Sequence, residues 1–124
     1  MKLDSNNGRD FNKETSDAMG HRYAYSFDFD IMHNFMIRSF APFFLTGSAL
    51  ELGSFKGEFT RKFLPYFNDI TCVEASDEAL MEAKQKLGEN IKYFHSMFEE
   101  VNLPSKYDNI IMTHVLEHIN DPVL

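Results

Sequence analysis

The amino-acid sequence predicts an α/β fold whose mostly parallel sheet is doubly wound, with helices on both faces. From about residue 49 onward, short apolar and β-branched runs alternate with segments of helical periodicity, which is the order that builds such a sheet. A glycine-containing turn joins the first predicted strand to the following helix. Turns of this kind mark the edge at which open α/β sheets bind ligands.

The composition restricts what the chain can bind and where it works. A net charge of −7 opposes attraction to phosphate backbones, so we expect a small-molecule ligand and no nucleic acid. No apolar run is long enough to span a membrane, and no signal-like stretch begins the chain. Cys72 is the only cysteine, which excludes an internal disulfide. We therefore expect a cytoplasmic protein without membrane association.

Two segments precede the predicted sheet. Residues 1–26 are predicted to be a flexible leader, because polar residues and glycine dominate their first part. Residues 27–47 are predicted to form an N-terminal cap helix that ends near Pro42 and covers the edge of the sheet. Its expected apolar face comprises Phe27, Ile31, Met32, Phe35, Met36 and Phe40, with Arg38 beside them. Residues 48–124 are predicted to form the ligand-binding α/β domain.

Four strands and two crossover helices are predicted within that domain. The strands cover residues 49–52, 70–73, 91–94 and 107–112. The helix after Gly57 is expected to bury Phe59, Phe63, Leu64 and Phe67. In the second helix, Ser76 is the expected N-cap, Asp77 and Glu78 lie in the first turn, and Gly88 closes the last turn.

At the end of the first strand and in the loop that follows it, Glu51, Gly53 and Gly57 form the pattern E-x-G-x-x-x-G. A glycine here allows the backbone to approach a ligand closely, although a plain tight turn is the alternative. The dinucleotide fingerprint G-x-G-x-x-G does not fit, because Glu51 occupies its first glycine position and the glycine spacing differs. The pattern therefore disfavours a pyrophosphate ligand.

This loop resembles the signature loop of class I S-adenosylmethionine-dependent methyltransferases. Glu74 ends the second strand 21 positions after Gly53, where the family carries an acidic residue that accepts hydrogen bonds from both ribose hydroxyls. Residues 114–122 are similar to the H-x-L-E-H-x-x-D-P segment of many small-molecule methyltransferases. The resemblance covers residues 50–122 and implies a Rossmann-like sheet, S-adenosyl-L-methionine as cofactor, and methyl transfer to a small-molecule acceptor.

The resemblance also implies which residues form the site. Glu51 would face the ammonium of the methionine part, and Met97 and Phe98 would enclose the adenine unless they are only core residues. The implied cofactor-binding set is Glu51, Gly53, Ser54, Gly57, Glu74, Ala75, Met97, Phe98 and Thr113. His114 and His118 are the candidate catalytic bases, because imidazole titrates in the required range, although capping or packing is the alternative for both.

Other functions stay open at this point. His114, Glu117 and His118 could share a helical turn as metal ligands, but no further ligands are evident at fixed spacing, so no metal is expected. An NAD-dependent or nucleotide-sugar oxidoreductase would also use Glu74 as a ribose ligand. A non-catalytic nucleoside-binding module would keep the pocket without turnover.

The resemblance further implies that the family's last strands would follow Leu124. The sheet is therefore expected to be incomplete at its C-terminus, and the 124-residue form is expected to be a poor catalyst or inactive. An uncovered sheet edge favours self-association, so a second copy of the chain is a candidate partner in a homodimer.

Overall fold

The computed structural model of the chain describes residues 10, 12–13 and 29–113. In chain order, the helices and strands are α1 (Phe29–Phe40), a 3-10 turn (Ala41–Phe43), β1 (Ser48–Leu52), α2 (Thr60–Phe63), β2 (Asp69–Glu74), α3 (Asp77–Leu87), β3 (Lys92–His95) and β4 (Asn109–Met112). All four predicted strands are present, each within two residues of its expected bounds. None of the described helices is long and apolar enough to cross a membrane.

The four strands form one sheet of order β3-β2-β1-β4, and every pairing is parallel. The chain moves outward from β1 to β3 and then returns to the other side of β1, so the direction of winding reverses between β1 and β4. This order confirms the predicted α/β fold class. Leu52 pairs with Val73 on one side and Met112 on the other, so β1, β2 and β4 end at the same level.

The described helices contribute to one hydrophobic core against the sheet, which includes Ile37 of α1 and Phe63 of α2, with Leu87 of α3 packed against it. Phe63 is fully buried and lies 4.7 Å from Phe59 and 6.4 Å from Phe67 between ring centroids. The prediction for Leu64 is wrong, because this side chain is 44% exposed. The helix ends at Phe63, and the tighter turn that follows directs Leu64 to solvent.

The predicted apolar face of α1 is also wrong in part. Ile31 and Phe35 are 58% and 63% exposed, whereas His33 and Ile37 are 9% and 8% exposed. The His33 ring lies 4.8 Å from the Phe59 ring, and Ile37 joins the same core cluster as the strands. The helix therefore packs against Phe59 and joins the core beside the strands. Arg38 is exposed, Met32 is half-buried, Met36 and Phe40 pack against the core, and Phe27 lies outside the described residues.

The predicted caps of α3 are confirmed. The Ser76 hydroxyl accepts a hydrogen bond from the backbone N–H of Ala79 at 3.3 Å, and Asp77 and Glu78 follow in the first turn. At the other end, the backbone N–H of Gly88 donates to the carbonyl of Lys84 at 3.0 Å. This glycine has a φ of 82°, which a residue with a side chain rarely adopts.

A polar clamp that the sequence did not reveal joins the start of β4 to the segment before β1. Asn109 is 9% exposed, and its Oδ1 accepts from the Leu45 N–H at 2.8 Å. Its amide nitrogen donates to the carbonyls of Leu45 and Ser48 at 2.9 and 3.0 Å. Beside it, the Asp108 carboxylate accepts from the Ser48 N–H at 2.9 Å. The clamp fixes β4 beside β1 and so determines where the end of β4 lies.

Replacing Asn109 by Ala should destabilise the chain by about 2 kcal/mol, because three backbone groups lose their partner at a part-buried position. Chemical unfolding followed by circular dichroism measures this loss. Asn109→Asp retains the acceptor for the Leu45 N–H but places a carboxylate oxygen against the carbonyls of Leu45 and Ser48, so it should destabilise the chain at least as much. Asn102→Ala is the control at an exposed position and should leave stability nearly unchanged. Equal stability of Asn109→Ala and Asn102→Ala would contradict the clamp.

Candidate functional site

The glycine loop leaves β1 at the level where β2 ends. The Gly53 N–H donates to the Val73 carbonyl at 2.8 Å, which extends the ladder between β1 and β2 into the loop. Gly53 has a φ of 82°, in the left-handed region that favours glycine. The backbone therefore turns sharply at the carboxyl edge of the sheet, close to the place where the winding reverses and where α/β sheets bind ligands.

Glu74 ends β2 and ties this loop to the start of α3. The residue is 9% exposed; its Oε1 accepts from the Phe55 N–H at 2.9 Å, and its Oε2 accepts from the Ser76 N–H at 2.7 Å. Burial raises the pKa of Glu74, and the hydrogen bonds from Ser76, Phe55 and Ala75 act in the opposite direction. Each carboxylate oxygen has two lone pairs, so both can accept a further hydrogen bond from a vicinal diol.

Glu51 lies one strand away and is 3% exposed. Its Oε2 accepts a hydrogen bond from the Thr60 hydroxyl, the first residue of α2. Burial raises the pKa of Glu51 from the ordinary 4.5 to about 8, the Thr60 bond lowers it, and the Glu74 carboxylate raises it. Such a carboxyl is mostly neutral at pH 7 and becomes an anion when a cation arrives.

Phe55 is the single described residue other than glycine with a positive φ, at 52°. This strained conformation directs its backbone N–H at Glu74, and strain of this kind is often kept at binding sites. Next to it, Ser54 is 3% exposed and its hydroxyl has no hydrogen-bond partner among the described residues. Sequence analysis missed Phe55, since no residue preference indicates a phenylalanine in this conformation.

Gly57 lies at the end of the glycine loop, where it allows the backbone to pack closely against α3. Its φ is 86°, and a Cβ at this position would lie 2.8 Å from Leu87 Cδ1 and 3.2 Å from Ala83 Cβ. The backbone of the loop therefore lies directly against α3. This contact gives Gly57 a structural role, and its contact with a cofactor stays a prediction.

The other predicted site residues surround the same edge. Ala75 follows Glu74, and Thr113 follows β4; both are half-buried. Met97 is 7% exposed and lies with the half-buried Phe98 just beyond β3, whose end is joined to β2 by a 3.0 Å bond from the Ser96 N–H to the Glu74 carbonyl. His114, His118 and the rest of the H-x-L-E-H-x-x-D-P segment lie outside the described residues.

One residue of the predicted leader also reaches this edge. Asn12 Oδ1 accepts from the Ser76 hydroxyl at 3.0 Å and from the Glu78 N–H at 3.3 Å. The same Ser76 donates its N–H to Glu74, so Asn12 contacts a residue that also holds the Glu74 carboxylate. The polar composition of the leader gave no signal for this contact, because only the folded α3 start presents these two donors together.

Comparisons with known proteins agree with this geometry. Residues 50–123 match the model of a family described as a methyltransferase domain. Nodulation protein S of Azorhizobium caulinodans is 32% identical over 76 residues, which are 60% of this chain and 37% of that protein. An uncharacterized methyltransferase of Bacillus cereus is 29% identical over 92 residues, 74% of this chain and 41% of that protein. The chain thus spans about two fifths of these relatives.

Solved structures show the same fold. The N-methyltransferase NodS from Bradyrhizobium japonicum, in complex with S-adenosyl-L-homocysteine, superposes with a TM-score of 0.72 at 19% identity, over 87% of this chain and 58% of that one. An S-adenosylmethionine-dependent methyltransferase from Clostridium acetobutylicum gives a TM-score of 0.63 at 21% identity, over 82% of this chain and 43% of that one.

Proposed function

The chain belongs to the methyltransferase domain family, and from this premise we propose that it binds S-adenosyl-L-methionine and transfers the methyl group to a small-molecule acceptor. The observation that carries the proposal is the Glu74 carboxylate. It is 9% exposed at the end of β2, and it joins the glycine loop to the start of α3. A buried carboxylate at this edge suits the two hydroxyls of a ribose.

The glycine loop fits the methionine part of the cofactor. The left-handed turn at Gly53 exposes backbone that a side chain would cover. Glu51, neutral until a cation arrives, would receive the ammonium group, and the unpartnered hydroxyl of Ser54 offers a further polar contact. These residues bind and orient, and none of them needs to form a covalent bond.

The adenine would lie beyond the end of β3. Met97 and Phe98 stand where the family that this chain resembles has an acidic and a small residue. The contact with the adenine would therefore be made by a thioether and an aromatic ring. Ala75 lies at the end of β2 between this position and the glycine loop. The proposed cofactor set thus stays Glu51, Gly53, Ser54, Gly57, Glu74, Ala75, Met97, Phe98 and Thr113.

The bound cofactor supplies an electrophilic methyl group on a sulfonium, so the protein contributes mainly alignment. Thr113 follows β4, beside the end of β1, and would border the methyl. His114 or His118 would remove the acceptor proton where the acceptor requires it. The role of these histidines is part of the proposal. We also propose that the chain is divided into a leader (1–26), a cap helix (27–47) and a binding domain (48–124).

A small-molecule acceptor agrees with the charge of −7, which disfavours nucleic acid. Among the structural neighbours, a plantazolicin methyltransferase was solved in complex with a monoazolic desmethylPZN analog and S-adenosylhomocysteine. Both observations support an acceptor that enters the site as a free compound.

Calorimetric titration of the chain with S-adenosylhomocysteine and with NAD tests the proposed cofactor. We expect saturable binding of S-adenosylhomocysteine and no comparable binding of NAD, because the glycine spacing does not suit a pyrophosphate. Preferred binding of NAD would favour the oxidoreductase alternative. Binding of S-adenosylhomocysteine without methyl transfer to any member of a panel of small-molecule acceptors would favour a non-catalytic nucleoside-binding module.

A further inference from the structure

We propose that Thr60 is a positioning residue that holds the Glu51 carboxyl so that its Oε1 receives the ammonium group of the methionine moiety. The inference rests on the proposed function, because it assumes that Glu51 binds this group. It adds a residue of α2 that does not belong to the glycine loop and that the sequence did not single out.

The geometry around Thr60 leaves little freedom for the carboxyl. Thr60 is fully buried, Glu51 is 3% exposed, and the Thr60 hydroxyl donates to Glu51 Oε2. A hydroxyl has a single proton, so Thr60 can then only accept from other groups. Cys72 Sγ, also fully buried, donates to Thr60 Oγ1 at 4.0 Å. The chain of bonds from Cys72 through Thr60 to Glu51 fixes which carboxyl oxygen is occupied.

Because Oε2 accepts from Thr60, the proton of the neutral carboxyl is carried by Oε1. Arrival of an ammonium group at Oε1 then displaces this proton, which leaves to solvent. Cys72 does not compete as an anion, because burial and the Glu51 carboxylate raise the pKa of its thiol. Cofactor binding should therefore release about one proton at pH 7 and almost none above pH 9.

Among the residues that the structure describes, few other charged groups near Glu51 could produce the same effect. On β2 it faces the thiol of Cys72 and the carboxylate of Glu74, and on β4 it pairs with the apolar Ile111. In the loop, Lys56 is engaged by Glu82 of α3 at 3.3 Å. Glu74 is thus the second of the described groups whose protonation could change on binding, and the experiment must separate Glu51 from it and from the candidate bases His114 and His118.

Calorimetry with S-adenosylhomocysteine in two buffers of different ionisation enthalpy, between pH 6 and 9, counts the released protons. For the natural chain, affinity should rise by up to about tenfold per pH unit below pH 8. Thr60→Val keeps the shape but lacks the donor that lowers the pKa of Glu51. We expect a three- to tenfold weaker affinity at pH 7 and a rise in affinity that continues to a higher pH before it levels off.

Two variants and one matched control complete the set. Thr60→Ser keeps the hydroxyl and should restore the pH profile, whereas Thr60→Ala should shift it as Thr60→Val does. Thr71→Val is the control, since Thr71 is equally buried and its hydroxyl has no partner among the described residues. It should leave affinity and proton release unchanged. In Glu51→Gln, titrated at concentrations that compensate for its weaker binding, proton release should disappear; its persistence would assign the proton to another group, such as Glu74, His114 or His118, and overturn the proposal.

The outcomes also distinguish this inference from the proposed function. If the natural chain does not bind S-adenosylhomocysteine, the proposed function itself fails. If it binds and Thr60→Val shows the same affinity and pH profile, only the role of Thr60 fails. A loss of affinity of equal size at every pH, not restored by Thr60→Ser, would show that Thr60 acts through packing alone.

Discussion

Replacing Glu74 by Ala should weaken the binding of S-adenosylhomocysteine about 10- to 100-fold. The estimate corresponds to the loss of charged hydrogen bonds, which contribute about 1.5–3 kcal/mol. The side chain also bridges two backbone donors, at 2.9 Å to Phe55 and 2.7 Å to Ser76. The substitution therefore loosens the glycine loop and removes the ribose acceptor together. Calorimetric titration at pH 7.5 measures the change.

Two further variants separate these contributions. Glu74→Gln retains one acceptor oxygen but places an amide donor opposite a backbone N–H, so its affinity should lie between those of the natural chain and Glu74→Ala. Glu89→Ala removes an exposed carboxylate just after the end of α3 and should bind S-adenosylhomocysteine as the natural chain does. Circular dichroism must show that Glu74→Ala still folds. Unchanged affinity in a folded Glu74→Ala protein would exclude the ribose role of this carboxylate.

The sequence was sufficient to predict the carboxyl edge of the sheet because local chemistry determines it. The turn at Gly53 requires a positive φ, and the carboxylate at position 74 follows directly after a β-branched strand. The capping of α3 by Ser76 is equally local. For these features, the residue type and its neighbours along the chain carry the information.

The face of α1 could not be predicted in the same way. Two apolar stripes overlap on this helix, one containing Ile31 and Phe35 and the other Ile37 and Phe40. Helical periodicity cannot rank them. The choice depends on Phe59, whose ring lies 4.8 Å from His33 and 5.9 Å from Phe40. That partner is 19 or more residues away along the chain.

The polar partners of the site escaped prediction for the same physical reason. The carboxyl of Glu51 meets the hydroxyl of Thr60 only because β1 and α2 pack together. Likewise, Asn109 reaches Leu45 across 64 positions of sequence. The position of a hydroxyl or amide in the sequence follows no periodicity that would indicate its role. Its hydrogen-bond partner can be identified only once the fold brings the two groups together.

Replacing Glu51 by Gln should stabilise the ligand-free chain at high pH while it removes most of the affinity for the cofactor. The pKa of Glu51 is raised from 4.5 to about 8 in the folded state, mainly by burial. Below pH 4.5 the carboxyl is neutral in both the folded and the unfolded state, and no stability is lost. Between these values the unfolded chain gives up a proton that the folded chain keeps, so stability falls as pH rises, by about 1.4 kcal/mol per pH unit.

Glutamine has the same shape and does not titrate, so Glu51→Gln lacks this loss. The difference in unfolding free energy between Glu51→Gln and the natural chain should grow by about 3 to 4 kcal/mol between pH 5 and pH 8. Urea unfolding at each pH measures it, with Glu99→Gln as the control for the same substitution at an exposed position. A difference that does not change with pH would show that Glu51 has an ordinary pKa in the folded state. A stabilised variant that binds S-adenosylhomocysteine far more weakly would show that the buried carboxyl is kept for binding, at a cost to the stability of the ligand-free fold.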